Sequence, residues 1–265
     1  MSAAGGAMSA GRRELRALLF DVDGTFEEVH RRAFNAAFSA AGLSWHWSPE
    51  QYVRLLRVGG GKERIRSYVA QNHPHLLQSP WAKAFIAELH RKKTRHYTLS
   101  VAAGCVHLRP GVARLIDQAV AGGLKTAVVT TAHRAGVRAL LEAAFGPRAD
   151  YLFDSICCGE DVVDKKPAPD AYLWTLRALG LPPTACIAIE DSGIGVLAAR
   201  RAGIAVLTTP SRYTANDDFH GSLAVLSDLG QADKPFRVLS GPDLAPGVVD
   251  LALLVRLLGQ DEPPA

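Results

Sequence analysis

The sequence of 265 residues predicts an α/β fold, in which a doubly wound parallel sheet carries an inserted block of helices. Five short apolar runs have the length and composition of buried strands. The intervals between the later runs show helical periodicity, and a purely helical stretch separates the first run from the second. Because alternating strands and helices favour a parallel sheet covered on both faces, we expect the helical stretch to form a separate small domain.

The predicted elements follow one another along the chain. The strand-like runs lie at residues 17–20, 126–129, 156–158, 186–189 and 205–207. Helical patterns occupy residues 111–121 and 135–144, and helical periodicity without a strand pattern extends from residue 27 to residue 100. The sequence therefore predicts a core of residues 11–26 and 101–240, a helical domain of residues 27–100, and a tail of residues 241–265 with one helix.

The composition narrows the classes of function. The net charge of +4 comes from scattered arginines, and no aromatic residues interleave with them as nucleic-acid binding would favour. No segment approaches the roughly 20 consecutive apolar residues that span a bilayer. We therefore predict a monomeric, cytoplasmic protein that binds a small anionic molecule and neither nucleic acid nor membrane.

Polar side chains follow several predicted strands where each strand ends. They are Asp21, Asp23, Thr130, Glu190 and Asp191, with Lys166 in the loop DVVDKKPAPD nearby. Each alone has an ordinary explanation as a turn residue, a helix cap or a solvated charge. Together they lie where a doubly wound sheet binds its ligands, at the carboxyl ends of the strands. The pattern predicts one functional site.

The carboxylates of this set suit a magnesium ion. Mg²⁺ prefers hard oxygen ligands and keeps several waters, so that a few carboxylates hold it. We expect Asp21 and Asp191 to provide ligands, with Asp23 contributing its backbone carbonyl and Glu190 lying close by.

The remaining groups suit phosphoryl transfer. A metal that neutralises one aspartate lets the free oxygen of that aspartate, Asp21, attack phosphorus. Thr130 and Lys166 would hold the equatorial oxygens of the transferring group. Asp23 is the predicted general acid and then base. Thr131, next to Thr130, is a candidate substrate-binding residue.

These motifs resemble those of the haloacid dehalogenase (HAD) superfamily, in its phosphatase and phosphomutase branch with a helical cap inserted after the first motif. The resemblance lies in DVDGT at residues 21–25, VVTT containing Thr130, KKPAPD around Lys166, and IEDSGIG from Ile189. It implies a Rossmann-like core, a helical cap at residues 27–100, and a phosphoric monoester hydrolase. Asp23 favours a phosphate-ester enzyme, because the dehalogenases of the superfamily lack that second aspartate.

Longer phrases resemble the CbbY type, whose members are xylulose-1,5-bisphosphate phosphatases associated with carbon fixation. The phrases are HRRAFNAAF, GGGKERI, KTRHY, LRPGVARLI and SRYTANDDF. This resemblance implies a Mg²⁺-dependent phosphatase that hydrolyses a sugar bisphosphate, a phosphorylated sugar being the partner, through an aspartyl-phosphate intermediate.

A bisphosphate presents a second dianion away from the metal and needs cations to receive it. Lys62 and Arg64, behind a glycine run, are candidates for that role, although both could be solvated helix charges. Glu27 and His30 could bind sugar hydroxyls where cap meets core, although His30 could equally be a packing histidine.

The chain departs from its relatives after Thr25, where the link to the cap is about three residues shorter. The shortening could weaken the cap closure that excludes water. One alternative is therefore a sugar-phosphate-binding protein with impaired catalysis. Two enzymatic alternatives also stay open: a β-phosphoglucomutase-like phosphomutase and a phosphonate hydrolase that uses Lys62 as a Schiff-base amine.

Overall fold

The protein is built on a seven-stranded sheet, seen in a computed structural model that describes residues 13–25, 29–105 and 107–260. The spatial order of the strands is β3-β2-β1-β4-β5-β6-β7. The first six strands in the chain run parallel to their neighbours, and β7 is antiparallel to β6. The strands are β1 (Ala17–Phe20), β2 (Lys125–Val129), β3 (Ser155–Cys157), β4 (Cys186–Glu190), β5 (Ala205–Thr208), β6 (Ala224–Leu226) and β7 (Val238–Ser240).

The strand order reverses at β1, which pairs with β2 on one side and with β4 on the other. The chain builds the sheet outward to β3 and then returns to lay β4 against β1. Such a reversal opens a crevice at the carboxyl ends of the two central strands. The fold therefore directs a ligand site to the residues that follow β1 and β4.

Both faces of the sheet are buried, as a doubly wound fold requires. Leu18 and Phe20 of β1 pack on one face with three helices, whereas Ala17 and Leu19 pack on the other face with two. The helices of the first face are α6 (Val112–Ala121), α7 (Arg134–Phe145) and α10 (Leu251–Gln260); those of the second are α8 (Asp170–Leu179) and α9 (Gly193–Arg201).

Five helices lie between β1 and α6: α1 (His30–Ala40), α2 (Pro49–Leu56), α3 (Gly61–Asn72), α4 (Pro74–Leu77) and α5 (Ala82–Ala102). They enclose their own aromatic cluster, in which Phe34, Phe38 and Trp47 are fully buried. Tyr213, which follows β5, inserts into this cluster from the sheet side. The inserted helices therefore have their own packing and touch the sheet near the strand ends.

The fold class predicted from the sequence is confirmed, and the five predicted strands are all present with bounds that agree to within one residue. The described residues 29–100 contain helices and no strand. β6 and β7 were not predicted. None of the helices in the described segments combines the length and apolarity needed to cross a membrane.

Candidate active site

The predicted site residues converge at the carboxyl ends of the central strands. Asp21 directly follows β1, Thr130 follows β2, and Glu190 ends β4 and is followed by Asp191. The backbone N–H of Asp21 donates to the carbonyl of Ile189 on β4, which fixes the two strand ends side by side. The parallel sheet therefore brings together residues that lie more than 100 positions apart in the sequence.

Lys166 is the cation at the centre of this group and is almost fully buried. Its Nζ donates to Asp21 Oδ1 at 2.7 Å, to Glu190 Oε1 at 2.6 Å and to the carbonyl of Val129 at 2.8 Å. Burial by itself lowers the pKa of Lys166, but the ion pairs with Asp21 and Glu190 outweigh it and raise the pKa above its ordinary value. Lys166 is therefore a permanent positive charge beside Asp21.

Asp191 is held by the loop that follows β5. Thr214 Oγ1 lies 3.1 Å from Asp191 Oδ2, and the Thr214 hydroxyl is in turn bonded to Ser211. Burial raises the pKa of Asp191 to about 7, and the charge of Glu190 adds to this effect. On the other side Gly24, at φ +96°, packs so closely that a Cβ there would lie 2.0 Å from Asp191 Oδ2.

Three buried carboxylates, those of Asp21, Glu190 and Asp191, each present an oxygen within 4.8 Å of the others. Burial raises the pKa of Asp21 well above its ordinary value, and Glu190 and Asp191 raise it further against the opposing effect of Lys166. Among the described residues, Glu190 Oε2 is buried without a hydrogen-bond partner. One lysine cannot balance three carboxylates, so the donor set fits a divalent cation with oxygen ligands.

The Asp23 carboxylate contacts the helical insertion and lines the same pocket as Asp21 and Asp191. Asp23 Oδ1 lies 2.7 Å from Nε2 of His30, the first residue of α1. Lys93 of α5 contacts His30 Nδ1 and can only donate to it, which leaves the ring proton on Nε2, facing Asp23. Burial opposes ionisation of Asp23, but His30 and Lys93 hold its pKa well below the usual range. Tyr97 stacks on the His30 ring at 4.2 Å and fixes its orientation.

A pocket connects the carboxylate cluster with the helical insertion. Arg64 of α3 lines it together with Tyr52, Tyr213, Thr131 and Asp21. Arg64 is buried and its guanidinium donates to the carbonyls of Leu55 and Val58. The structure thus places one predicted substrate-binding cation in the pocket that contains the predicted nucleophile.

Lys62 lies elsewhere, although it is only two residues from Arg64. It lines a second pocket with His90, His133 and Glu160 that shares only Thr131 with the first. Burial lowers the pKa of His90 to about 3, so that ring is neutral near neutral pH. The structure does not bring Lys62 to the carboxylate cluster. Glu27, the other predicted sugar-binding residue, lies outside the described residues.

Thr130 is buried beside the cluster, and its hydroxyl accepts a bond from the N–H of Ala132. Sequence reasoning missed several further contributors, namely Tyr52, Lys93, Tyr172, Ser211, Tyr213 and Thr214. Lys93 stands in the phrase KTRHY, and Ser211, Tyr213 and Thr214 stand in SRYTANDDF, so these phrases could have suggested them. Tyr172 offers no such signal: it lies in the first turn of α8 among buried residues, and its hydroxyl donates to Glu190 Oε1 at 2.5 Å.

Comparisons with known proteins identify relatives along most of the chain. A family model of haloacid dehalogenase-like hydrolases matches residues 15–203. The chain is 51% identical over 222 residues to protein CbbY of Rhodobacter capsulatus. The matched region covers 83% of this chain and 96% of that protein. It is 45% identical over 247 residues to the plasmid-encoded protein CbbY of Cupriavidus necator, over 91% of this chain and 95% of that protein.

Solved structures agree with these matches. CbbY from Rhodobacter sphaeroides in complex with phosphate superposes with a TM-score of 0.73 at 41% identity, over 81% of this chain and 94% of that chain. A variant of that protein in complex with xylulose-1,5-bisphosphate has a TM-score of 0.74 at 40% identity, over 83% and 98%. A β-phosphoglucomutase from Clostridium difficile, at 18% identity and a TM-score of 0.63, shares the fold. The chain therefore belongs to the haloacid dehalogenase-like hydrolase family, as a phosphatase of the CbbY type.

Proposed function

We propose that this chain is a Mg²⁺-dependent phosphatase that hydrolyses a sugar bisphosphate, with xylulose-1,5-bisphosphate as the first candidate. One observation carries the proposal: Asp21 and Asp191 of the buried carboxylate cluster line the same pocket as the buried cation Arg64. In this proposal the carboxylate cluster serves the phosphate that is transferred, and Arg64 receives the second phosphate. The CbbY variant that binds xylulose-1,5-bisphosphate, at 40% identity, supports this substrate.

In the proposed reaction, an Asp21 oxygen attacks the phosphorus and the bond to the sugar oxygen breaks. Asp23 gives its proton to that leaving oxygen, and the phosphoryl group stays on Asp21 as an aspartyl phosphate. Asp23 then takes a proton from water, whose oxygen attacks the phosphorus, and inorganic phosphate leaves with Asp21 regenerated. Mg²⁺ held by Asp21 and Asp191, with Glu190 close by, would neutralise charge on the transferring group.

The proton balance at Asp23 depends on its surroundings. In the structure His30 and Lys93 keep Asp23 ionised, which suits its second role as a base. An entering phosphate dianion places negative charge beside Asp23 and raises its pKa, which favours the protonated form that the first step needs. Substrate entry would thus change the protonation of Asp23, the residue that contacts the first helix of the insertion, and so prepare it for the acid step.

Lys166 and Thr130 have complementary parts in this scheme. Lys166 neutralises the charge of Asp21 before the reaction and the charge of the transferring oxygens during the reaction. It can do so because its ammonium stays charged and is held in place by three acceptors. Thr130 lies at the neighbouring strand end and offers a hydroxyl to the same oxygens. Tyr52 and Arg64 would receive the distal phosphate; a role for Lys62 stays a prediction from the sequence.

The helices of residues 27–100 form the cap in this proposal, residues 11–26 and 101–240 the core, and residues 241–265 a tail. The shortened link to the cap falls on residues 26–28, outside the described segments. Turnover by the wild-type chain therefore decides between an enzyme and the binding-protein alternative. The monomeric state and cytoplasmic location stay predictions from the sequence.

Phosphate release tests the proposal and separates it from a phosphomutase. Wild-type protein is incubated with pentose and hexose bisphosphates, with Mg²⁺ or with a chelator. We expect one inorganic phosphate released per bisphosphate consumed, with Mg²⁺ only. Isomerisation of a sugar monophosphate primed by the bisphosphate, without stoichiometric release, would favour the mutase, and binding without either reaction would favour a binding protein.

A further inference from the structure

Arg109 lies outside the pocket, between α5 and α6, yet its side chain ties together three loops at the carboxyl edge of the sheet. Its Nη1 donates to the carbonyls of Gly24 and Thr209. Its Nη2 donates to the carbonyls of Pro210 and Ser227, at 3.0 Å in both cases. These acceptors belong to the loops that follow β1, β5 and β6. One guanidinium therefore binds segments that each lie between 85 and 118 positions from Arg109 in the sequence.

Two of these loops contact the Asp191 carboxylate, and we call them the Asp23–Gly24 wall and the Ser211–Thr214 wall. Gly24 packs directly against the Asp191 carboxylate, as its close approach to Oδ2 shows. Thr209 and Pro210 lead into Ser211 and Thr214, and the Thr214 hydroxyl contacts the same carboxylate oxygen. The positions of the two walls relative to each other therefore determine where Asp191 and Asp23 lie.

An arginine suits this bridge better than other cations. Its planar guanidinium presents several N–H donors in a fixed arrangement, so that one group serves acceptors in several directions without changing shape. Lysine carries a compact ammonium and would reach only part of this set. Because the four acceptors are backbone carbonyls, the bridge sets the course of the main chain rather than the conformation of one side chain.

We propose that Arg109 is a positioning residue for phosphoryl transfer, which fixes the separation of the Asp23–Gly24 wall and the Ser211–Thr214 wall that together hold Asp191. The inference rests on the proposed function. Displacement of about 1 Å at reacting groups costs roughly a hundredfold in rate. Loss of the bridge should therefore lower kcat and weaken Mg²⁺ binding while KM changes little, because Arg64 and Tyr52 lie on α3 and α2 and not on the loops that Arg109 bridges.

The chain contains a matched control in Arg114, which stands five residues later in the phrase LRPGVARLI. Its guanidinium also donates to several acceptors: Gln118 Oε1 and the carbonyls of Leu229, Gly230 and Val249. None of these partners lines the pocket that contains Asp21. Arg114→Met removes a comparable set of hydrogen bonds without touching the two walls.

The test compares wild type with Arg109→Met, Arg109→Lys and Arg114→Met. Melting temperature, kcat, KM and the rise in melting temperature on titration with MgCl₂ are measured for each. We expect kcat of Arg109→Met to fall by roughly 10- to 100-fold, with KM within about threefold of wild type and a several-fold higher Mg²⁺ concentration for half of the thermal shift. Methylguanidinium added to Arg109→Met should restore part of kcat. Arg114→Met should lose stability and keep kcat.

Arg109→Lys keeps the positive charge, so the proposal can still be tested if Arg109→Met does not fold. We expect it to show reduced kcat and weaker Mg²⁺ binding as well. Wild-type kcat and an unchanged Mg²⁺ response in Arg109→Lys would overturn the proposal, as would an equal loss of kcat in Arg114→Met. If the wild-type chain releases no phosphate, the proposed function fails, and the Mg²⁺-dependent thermal shift still decides whether Arg109 positions the carboxylates.

Discussion

At the scale of single residues, Asp21 combines two demands that oppose each other in an ordinary protein interior. It is buried among other carboxylates, which raises its pKa, and it must be ionised to act as the nucleophile of the proposed reaction. Lys166 supplies one compensating charge at 2.7 Å. Burying carboxylates that one lysine cannot neutralise costs folding free energy. The same arrangement is useful in the proposed catalysis, because a bound cation and a phosphoryl group would complete the charge balance.

Asp21→Asn tests the nucleophilic role. An amide cannot attack phosphorus, so phosphate release should fall by roughly a thousandfold or more. The substitution also removes a buried charge from a crowded site, so the melting temperature without Mg²⁺ should equal or exceed that of wild type. Thermal unfolding and phosphate release measure both effects. Activity above a few per cent of wild type in freshly prepared variant would contradict the assignment.

Tyr172→Phe tests the support of Glu190. The phenol donates to a buried carboxylate that also binds Lys166, and a hydrogen bond to a charged group contributes about 1.5–3 kcal/mol. We expect a loss of that size in the free energy of unfolding from urea titration. Tyr151→Phe, on an exposed tyrosine, is the control and should lose almost nothing. Equal stabilities of the two variants would refute this account of Tyr172.

Several of these residues could be predicted because their position along the chain is informative. Asp21, Thr130, Glu190 and Asp191 each end or follow an apolar run, and a parallel sheet collects such positions at one edge. Tyr172 could not be predicted, because its helix reads as an ordinary apolar face and only the folded chain places its hydroxyl against Glu190. The partners of Arg109 are backbone carbonyls, which no sequence pattern reports.

At the scale of elements, the glycine run before α3 brings the helical insertion against the core. A Cβ on Gly59 would lie 2.3 Å from the carbonyl of Lys166 and 3.3 Å from Cβ of Lys165. Main-chain atoms therefore meet where the insertion approaches the loop that carries the central lysine. A glycine is needed here for space, since Gly59 does not have a positive φ.

Gly59→Ala should disturb both partners of this contact. The added methyl group must push the insertion away from the core or shift the backbone of Lys166, and either movement misplaces a reacting group. We expect kcat/KM to fall by roughly tenfold or more. Gly259→Ala, at a helical position with open space around it, provides the control. Unchanged kcat/KM in Gly59→Ala would show that turnover does not require the close contact between Gly59 and the backbone of Lys166.

The elements differ in how well the sequence predicts them. β1 and β4 are continuous apolar runs that are buried on both faces, and their bounds were predicted almost to the residue. β6 and β7 are three residues long, and two residues of β7 are exposed, so the sequence contains no apolar run or alternation long enough to indicate a strand. β6 is a strand because it pairs with the open edge of β5, and β7 because it pairs with β6, and these edges are a property of the fold.

At the scale of the whole molecule, the buried carboxylates link folding to pH and, under the proposed function, to Mg²⁺ binding. Asp191, with a pKa of about 7, and Asp21, also raised, bind protons more tightly in the folded chain than in the unfolded chain. Their contribution to stability is therefore present at low pH and is lost as pH rises from about 4 through about 7. Lys166 titrates only at much higher pH, and Asp23 is already ionised across this range.

The metal-free protein should accordingly have a lower melting temperature at pH 8 than at pH 5.5. Because Mg²⁺ and protons compete for the same carboxylates, MgCl₂ should raise the melting temperature more at pH 8 than at pH 5.5. Asp191→Asn is the control and should reduce both effects. A thermal shift with Mg²⁺ that is equal at the two pH values, in wild type and variant alike, would argue against a metal at these carboxylates.

The central claim is that Asp21 carries the phosphoryl group during turnover, and a direct measurement is its chemical capture. Wild-type protein is mixed with a sugar bisphosphate and Mg²⁺, quenched in acid within milliseconds, digested and analysed by mass spectrometry, with Asp21→Asn treated in parallel. We predict a phosphoryl group on the peptide that contains Asp21, formed and lost at rates that match phosphate release, and none in the variant. Steady phosphate release with no such peptide at any quench time, or a phosphoryl group on another residue, would contradict the account.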